Sequence, residues 1–164
     1  MFSSTATLRH ITRLPPPTTF DEAILRLHNH ELLIKFDPEY TSHEELPTDP
    51  TNPDAKRYKV TDNLKALPAG LWNSKVTFEA ELTDTEDGVN WVVKAPLGLV
   101  QRTSWRCVKV DSMEDASEVE GEGEWCLVED VEITANKLLV AHVKGKCEES
   151  WKGTHGKFLD SLKA

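Results

Sequence analysis

The last third of the chain carries an apolar stripe at helical spacing, and this stripe follows a long region with the pattern of β-strands. At about 100° per residue, six apolar side chains fall within one arc of about 100°; they are Val140, Val143, Cys147, Trp151, Phe158 and Leu162. Such a helix must bury its apolar face, and a curved sheet is the partner that the preceding strands can supply. Because this closure leaves room in the middle, the sequence predicts a small-molecule pocket.

The rest of the sequence predicts a single α+β domain over residues 1–164. A first strand over residues 4–14 ends at Pro15-Pro16-Pro17, because proline cannot continue a hydrogen-bonded ladder. A helix capped by Thr18-Thr19 follows, and a break near Asn29 divides it into two short helices.

The middle of the chain has the pattern of an antiparallel run of strands. Strands are predicted over residues 40–46, 57–64, 74–83, 89–95, 99–110 and 124–134, with a hairpin turn at Asp87-Gly88. Asn136 caps the closing helix. The predicted fold is a curved antiparallel sheet wrapped around a long C-terminal helix, with the two short helices closing one end.

The net charge and the cysteines argue against several classes of protein. The formal net charge is -9 and no basic stripe is present, which argues against a nucleic-acid partner. The three cysteines lie far apart, so neither a disulfide framework nor a zinc site is expected. No apolar run approaches the roughly 18 residues of a membrane span, and no signal-peptide pattern is present, so a cytoplasmic protein is expected. A homodimer is compatible with these features.

Five short motifs, in this order and spacing, connect the chain with a larger group of proteins. They are Leu14-Pro15-Pro16-Pro17, His28-Asn29-His30-Glu31, Leu67-Pro68-Ala69-Gly70-Leu71, Ala95-Pro96-Leu97-Gly98 and Leu127-Val128-Glu129-Asp130-Val131. The chain resembles the helix-grip fold of the START-like superfamily, which includes the birch pollen allergen type and the polyketide cyclase type. Within that superfamily it is most similar to a fungal family of uncharacterised START-like proteins, over nearly the whole chain.

The resemblance implies a pocket between sheet and helix that holds a hydrophobic ligand. Superfamily members bind lipids and sterols, carry plant hormones or cyclise polyketides, and the fold alone does not decide among these. The leading hypothesis is an intramolecular, pericyclic ring closure of the Diels–Alder type in fungal natural-product biosynthesis. The alternatives are an aldol-type polyketide cyclase, a non-catalytic carrier of a lipid, sterol or other hydrophobic metabolite, and an interaction module whose own side chains fill the pocket.

Aromatic and apolar residues are the candidates for the ligand-binding surface, since small-molecule pockets are mostly apolar. Tryptophan stands at five positions, 72, 91, 105, 125 and 151. The alternative is that these side chains fill the core. The predicted ligand-binding residues are Trp72, Phe78, Trp91, Trp105, Trp125, Leu127, Val143, Cys147 and Trp151.

Three polar residues are the candidates for chemistry: Glu129, Arg102 and His155. Glu129 has the strand parity of Leu127, so it is expected to point inward, where burial raises a carboxyl pKa unless the group is paired. Arg102 or Arg106 is the expected partner, and a bulge that turns Glu129 outward is the alternative. His155 borders the apolar stripe, as a candidate acid or base or as a structural histidine. An aldol closure needs a true acid or base, whereas a pericyclic closure needs only modest polarisation.

No metal or cofactor site is expected. His28 and His30 are two residues apart, which places them on different sides of a helix. No nucleophile elbow, phosphate loop or nucleotide fingerprint is present, and Gly121 and Gly123 lie in an acidic segment that repels phosphate. Any catalysis is therefore expected to proceed without a covalent nucleophile or a cofactor.

Overall fold

The computed structural model describes residues 3–63, 75–114 and 119–163. Its strands are β1 (Ser3–Arg13), β2 (Tyr40–Leu46), β3 (Ala55–Asn63), β4 (Lys75–Thr85), β5 (Gly88–Lys94), β6 (Val100–Lys109) and β7 (Trp125–Asn136). Its α-helices are α1 (Phe20–Leu27), α2 (His30–Ile34) and α3 (Lys137–Ser161). The motif over residues 67–71 lies outside the described residues. Within them, no helix combines the length and the hydrophobicity that crossing a membrane requires.

Neighbouring strands pair antiparallel, in the order β1-β7-β6-β5-β4-β3-β2. Strands β2 to β7 therefore follow chain order, and β1 joins the sheet beside β7. The sheet is curved, and α3 packs against β1 and β7. This arrangement confirms the predicted α+β helix-grip architecture.

Side-chain caps fix where the helices begin. The backbone N of Glu22 donates to Thr19 Oγ1 at 3.2 Å, and the backbone N of Thr19 donates to Glu22 Oε2 at 3.3 Å, which forms a capping box for α1. Asn29 Oδ1 accepts a backbone hydrogen bond of 3.2 Å at the start of α2, so the predicted break between the two short helices is found there. Asn136 caps α3 in the same way, at 2.9 Å.

The hairpin between β4 and β5 turns one residue earlier than predicted. Its loop consists of Glu86 and Asp87, and Thr85 lies opposite Gly88 in the register, so Gly88 begins β5. A Cβ atom at Gly88 would clash with the main chain of Trp105 on β6. Glycine at this position therefore permits two strands to approach closely rather than forming the turn.

Two buried clusters pack against the two ends of α3. The larger cluster joins α1 and the sheet to the end of α3, through residues such as Leu27, Leu82 and Phe158. The smaller cluster packs the first turn of α3 against β7, through Leu139 and Ile133. Because burial is concentrated at the ends of the helix, its middle faces an open space above the sheet.

Candidate functional site

A cavity of about 510 Å³ lies between the sheet and the middle of α3, within the size range of small-molecule sites. Its wall is formed by α2 and the segment after it (Leu33, Ile34, Asp37, Pro38, Glu39), by the sheet and its connections (Val60, Asp62, Val76, Phe78, Ala80, Leu82, Trp91, Val93, Ala95, Leu99, Gln101, Trp105, Glu129) and by α3 (His142, Val143, Lys146, Cys147, Glu149, Ser150, Trp151, Thr154). This open volume does not fit the alternative in which the chain's own side chains fill the pocket.

Six of the predicted ligand-binding residues line this cavity: Phe78, Trp91 and Trp105 from the sheet, and Val143, Cys147 and Trp151 from α3. Trp105 is 1% exposed, and its ring centroid lies 5.6 Å from that of Trp91. Burial raises the pKa of the Cys147 thiol to about 12, so this side chain is a neutral thiol at neutral pH. That these residues bind a ligand stays a prediction.

The other three predicted ligand-binding residues are not found in the cavity wall. Trp125, at the start of β7, packs against Phe20 of α1, with ring centroids 5.1 Å apart. Leu127 is fully buried in the core. Both are therefore corrected to core packing, because the amino-terminal helices cover this end of the sheet. Trp72 lies outside the described residues.

Glu129 faces the cavity, and three donors surround its carboxylate. His10 on β1 and Trp105 on β6 lie directly opposite Glu129 in the register of the sheet. His10 Nδ1 donates to Oε1 at 2.9 Å, and Trp105 Nε1 donates to Oε2 at 2.8 Å. Helix α3 adds His155, whose Nε2 lies 3.3 Å from Oε1. We call these four residues the Glu129 centre.

Further contacts hold the two histidines of the Glu129 centre in place. His155 Nδ1 lies 2.6 Å from Thr12 Oγ1. The ring of Trp151 stacks on His10, with centroids 4.6 Å apart and planes 4° from parallel. Both histidines are buried, and neither is part of the cavity wall. Glu129 and Trp105 are therefore the members of the centre that a ligand in the cavity can touch.

The pKa of Glu129 results from opposing effects. Burial by itself raises the pKa, because it removes water from the charged form. The hydrogen bond and charge of His155, with the hydrogen bonds from His10 and Trp105, outweigh burial and leave the pKa of Glu129 below its ordinary value. Glu129 is therefore ionised at neutral pH and is a weak base.

The predicted pairing of Glu129 with Arg102 or Arg106 is wrong. Arg102 is exposed, and Arg106 Nη2 donates to Asp130 Oδ2 at 3.1 Å. Both arginines are an odd number of residues away from Trp105, so strand alternation places them on the face of the sheet opposite the cavity. Arg102 is therefore corrected to the outer face, away from the candidate site.

Sequence reasoning did not identify His10 or Thr12 as site residues. The available signal was strand alternation, since both positions point to the same side as the buried Leu14, which directly follows β1. What the sequence did not indicate is the pairing of β1 with β7, which brings His10 opposite Glu129. Their role is visible only once two strands from opposite ends of the chain are adjacent.

A second carboxyl group faces the cavity from the end of β3. Asp62 is 5% exposed and shares a strand face with Tyr58 and Val60. Burial, a hydrogen bond with the Asp37 side chain, and the negative charges of Asp37 and Glu39 together raise the pKa of Asp62 to about 9. Asp62 is therefore protonated at neutral pH. We call Asp62 and Asp37 the Asp62 pair. Sequence reasoning did not identify this pair, although an aspartate at a strand position that alternation assigns to the apolar face was the available signal.

The histidines of the amino-terminal helices make structural contacts. His30 Nε2 lies 2.7 Å from Asp84 Oδ1, and His28 Nε2 lies 3.0 Å from the carbonyl oxygens of Thr85 and Gly88. Across the described ranges, no group of three or more His, Cys, Asp or Glu side chains is arranged to hold a metal ion.

Solved structures of other proteins share this architecture. The di-domain ARO/CYC BexL from the BE-7585A biosynthetic pathway has a TM-score of 0.65 at 13% identity, covering 98% of this chain and 50% of that chain, so the chain spans half the length of BexL. Norcoclaurine synthase from Thalictrum flavum has a TM-score of 0.61 at 10% identity, covering 99% and 96%. The Zhui aromatase/cyclase from Streptomyces sp. R1128 has a TM-score of 0.60 at 10% identity, covering 99% and 94%. At these identities the likeness shows the helix-grip fold alone.

The sequence comparisons identify a family whose description gives no function. A search of curated proteins gives no match. A family model described as "Domain of unknown function (DUF7053)" matches residues 3–164, nearly the whole chain. The fungal origin expected from the sequence stays a prediction.

Proposed function

We propose that this chain, which belongs to the DUF7053 family of domains of unknown function, binds a hydrophobic small molecule in its cavity and promotes an intramolecular cyclisation. The observation that carries the proposal is a cavity of about 510 Å³ whose wall combines tryptophan side chains with the ionised carboxylate of Glu129. The aromatase/cyclases and norcoclaurine synthase among the similar structures support it as examples of reactions that this fold hosts.

Confinement is the main contribution that such a wall can make to the reaction. A flexible chain folded between the tryptophans and α3 has its reacting ends held together before the reaction begins. In bimolecular cases this effect contributes up to about 7–11 kcal/mol, and the gain is smaller for a single molecule. The Diels–Alder form suits this environment, because two carbon–carbon bonds form from the π electrons of one molecule and no proton leaves it.

The aldol form makes a stronger demand on Glu129. Its carboxylate must accept the proton next to a carbonyl, the resulting enolate carbon must attack a second carbonyl carbon, and the new alkoxide must then take up a proton. The donors around Glu129 lower its pKa and so make it a poor acceptor for the first proton. This feature favours the pericyclic form over the aldol form.

Two surrogate substrates separate these forms. A linear trienone closes by a Diels–Alder reaction, and a linear aryl diketone closes by an aldol condensation. The pericyclic form predicts faster closure of the trienone, with a change of less than about threefold in the Glu129→Gln variant. The aldol form predicts faster closure of the diketone and a loss of about 100-fold or more in that variant.

Filling the cavity tests confinement itself. Val143→Phe places a larger side chain in the wall, whereas Leu138→Phe makes a similar change at an exposed position of α3. We expect the first variant to slow closure or to alter the ratio of stereoisomers, and the second to behave as the wild type. Equal effects of both changes would contradict a reaction inside the cavity.

A non-catalytic carrier is the second candidate, and the lowered pKa of Glu129 is the observation that favours it. A carrier needs the apolar wall but no proton acceptor. In that case apolar probes would quench tryptophan emission with saturation, while neither surrogate closed faster than it does in buffer. Emission changes that rise without saturation would contradict both candidates, because they indicate adsorption to the surface.

Three predictions about the protein's setting belong to this proposal: a cytoplasmic location, a role in fungal natural-product pathways and a homodimer. A coding gene within a biosynthetic cluster that lacks an assigned cyclase would support the enzymatic form. An isolated position in the genome would favour the carrier. The mass of the particle in solution, measured by light scattering, tests the dimer.

A further inference from the structure

One oxygen of the Asp62 pair has no partner, unlike the two oxygens of Glu129. Asp62 lines the cavity and is 5% exposed, yet its Oδ1 atom has no hydrogen-bond partner among the described residues. Leaving a buried acceptor in this state costs free energy, so such atoms are normally satisfied. The oxygen therefore marks a position where a bound molecule can supply the missing donor.

Strand alternation directs this carboxyl group into the cavity. Asp62 shares the inner face of β3 with Val60 and lies opposite Val76 of β4, and both valines are part of the cavity wall. Asp37 shares a hydrogen bond with Asp62 from the segment after α2. A carboxyl group carries at most one proton, so Oδ1, which has no hydrogen-bond partner among the described residues, can accept a hydrogen bond. The complementary group on a ligand is an N–H or O–H donor.

The charges around the Asp62 pair favour a cationic donor. Asp37 and Glu39 face Asp62 from the segment after α2, and Glu149 belongs to the cavity wall on α3. Lys146 of α3 also lines the cavity, but its Nζ pairs with Glu39 Oε2 at 3.2 Å. These three acids therefore outnumber the lysine. Burial, the hydrogen bond with Asp37 and the charges of Asp37 and Glu39 raise the pKa of Asp62.

Two hydroxyl donors of α3 in the wall are already engaged. Ser150 Oγ donates to the carbonyl oxygen of Lys146 at 2.9 Å, and Thr154 Oγ1 donates to the carbonyl oxygen of Ser150 at 3.0 Å. Both hydroxyl groups donate to backbone carbonyl oxygens of α3, so these protons are not directed at a ligand. The vacant acceptor on Asp62 therefore gives this end of the cavity its distinct chemistry.

We propose that the cavity takes a hydrophobic amine, whose protonated nitrogen donates a hydrogen bond to Asp62 Oδ1 and lies against the Asp62 pair. The inference rests on the proposed function, since it uses the same cavity, and it names the class of molecule. On binding, the ammonium group keeps its protons, and Asp62 releases to solvent the proton that it shared with Asp37. No bond to carbon forms or breaks in this step.

Three probes of similar shape test the proposal: aminomethylnaphthalene, hydroxymethylnaphthalene and ethylnaphthalene. Calorimetric titrations at about pH 7, in two buffers of different ionisation enthalpy, give both the affinity and the number of protons released. We expect the amine to bind about tenfold more tightly than ethylnaphthalene. We also expect the amine to release about one proton and ethylnaphthalene to release none.

The Asp62→Asn variant removes the proton without changing the size of the side chain. In this variant we expect proton release to vanish and most of the preference for the amine to be lost. Affinity for ethylnaphthalene should stay within about twofold, which shows that the variant is folded. Asp54→Asn makes the same change at an exposed acid and should behave as the wild type.

Each other outcome contradicts the inference in a distinct way. Failure of all three probes to bind with saturation would overturn the proposed cavity function together with this inference. Saturable binding of ethylnaphthalene without a preference for the amine would overturn this inference alone. Tighter binding of hydroxymethylnaphthalene than of the amine would assign a neutral donor to the site. Proton release that persists in Asp62→Asn would assign the proton to another group.

Discussion

Glu129 and Asp62 are both buried carboxyl groups in the wall of one cavity, and they are in opposite states. Donors from three elements surround Glu129, so its pKa lies below the ordinary value and the group is ionised. Acids surround Asp62, so burial and neighbouring charge raise its pKa to about 9. One group is satisfied on both oxygens, whereas the other keeps a vacant acceptor. The Glu129 centre therefore stabilises the fold, whereas the unpartnered oxygen of Asp62 costs free energy that, in our proposal, a bound donor recovers.

The largest expected effect on stability comes from removing the carboxylate of the Glu129 centre. Glu129→Ala removes the acceptor for three buried donors, so we expect a loss of about 2–4 kcal/mol in the free energy of unfolding. Urea unfolding at about pH 7 measures it. Glu132→Ala, at an exposed position of the same strand, is the control. Equal losses in the two variants would remove the special role of Glu129.

The Asp62 pair predicts an effect of opposite sign. The pKa of Asp62 is about 9 in the folded chain against an ordinary 3.8, so the stability due to its protonated form is complete below about pH 4 and is lost as the pH rises towards 9. Asn cannot ionise, so Asp62→Asn should exceed the wild type by about 1–3 kcal/mol at about pH 8. The difference should shrink at about pH 5. A variant less stable than the wild type at the higher pH would contradict the account.

The two regions also differ in their response to acid. Because the folded chain lowers the pKa of Glu129, the stability that this group contributes is present above its ordinary pKa of 4.5 and is lost as the pH falls through the lower folded value. We expect Glu129→Gln to flatten the acid limb of a plot of unfolding free energy against pH. An acid limb with the wild-type slope would show that other carboxylates cause acid unfolding.

The smallest expected effect concerns the stacking of Trp151 on His10. Trp151→Phe keeps an aromatic ring and reduces the stacked area, so we expect a cost of about 0.5–1.5 kcal/mol in thermal or urea unfolding. Trp125→Phe, outside the cavity wall, is the control for ligand binding. A change in probe affinity in the control but not in Trp151→Phe would place the ligand elsewhere.

The fold could be predicted from patterns that are local in the sequence. Alternation located the strands, side-chain caps located the helix starts, and the stripe on α3 required a sheet to pack against. The Asp-Gly pattern predicted that Gly88 lies in a turn. In the structure Gly88 begins β5, and glycine is needed there because the main chain of Trp105 on β6 approaches closely. Such contacts depend on which strands become neighbours.

The candidate site could be predicted only where parity decides. Strand alternation predicted that Glu129 points inward. The same rule could have excluded Arg102 from the inner face, because Arg102 stands three residues from Trp105 and so cannot share its face. Two of the three partners of Glu129 come from β1 and α3, and the partner of Asp62 comes from the segment after α2. These pairings join distant parts of the chain, so no local pattern indicates them.

The opposite protonation states of Glu129 and Asp62 at neutral pH can be observed directly. Carbon-13 NMR of labelled Asp and Glu carboxyl groups reports them, with the two signals assigned through the Asp62→Asn and Glu129→Gln variants. The account predicts that Glu129 titrates below its ordinary pKa of 4.5, while Asp62 stays protonated through neutral pH and titrates near 9. Two carboxyl groups that are both ionised at neutral pH would contradict it.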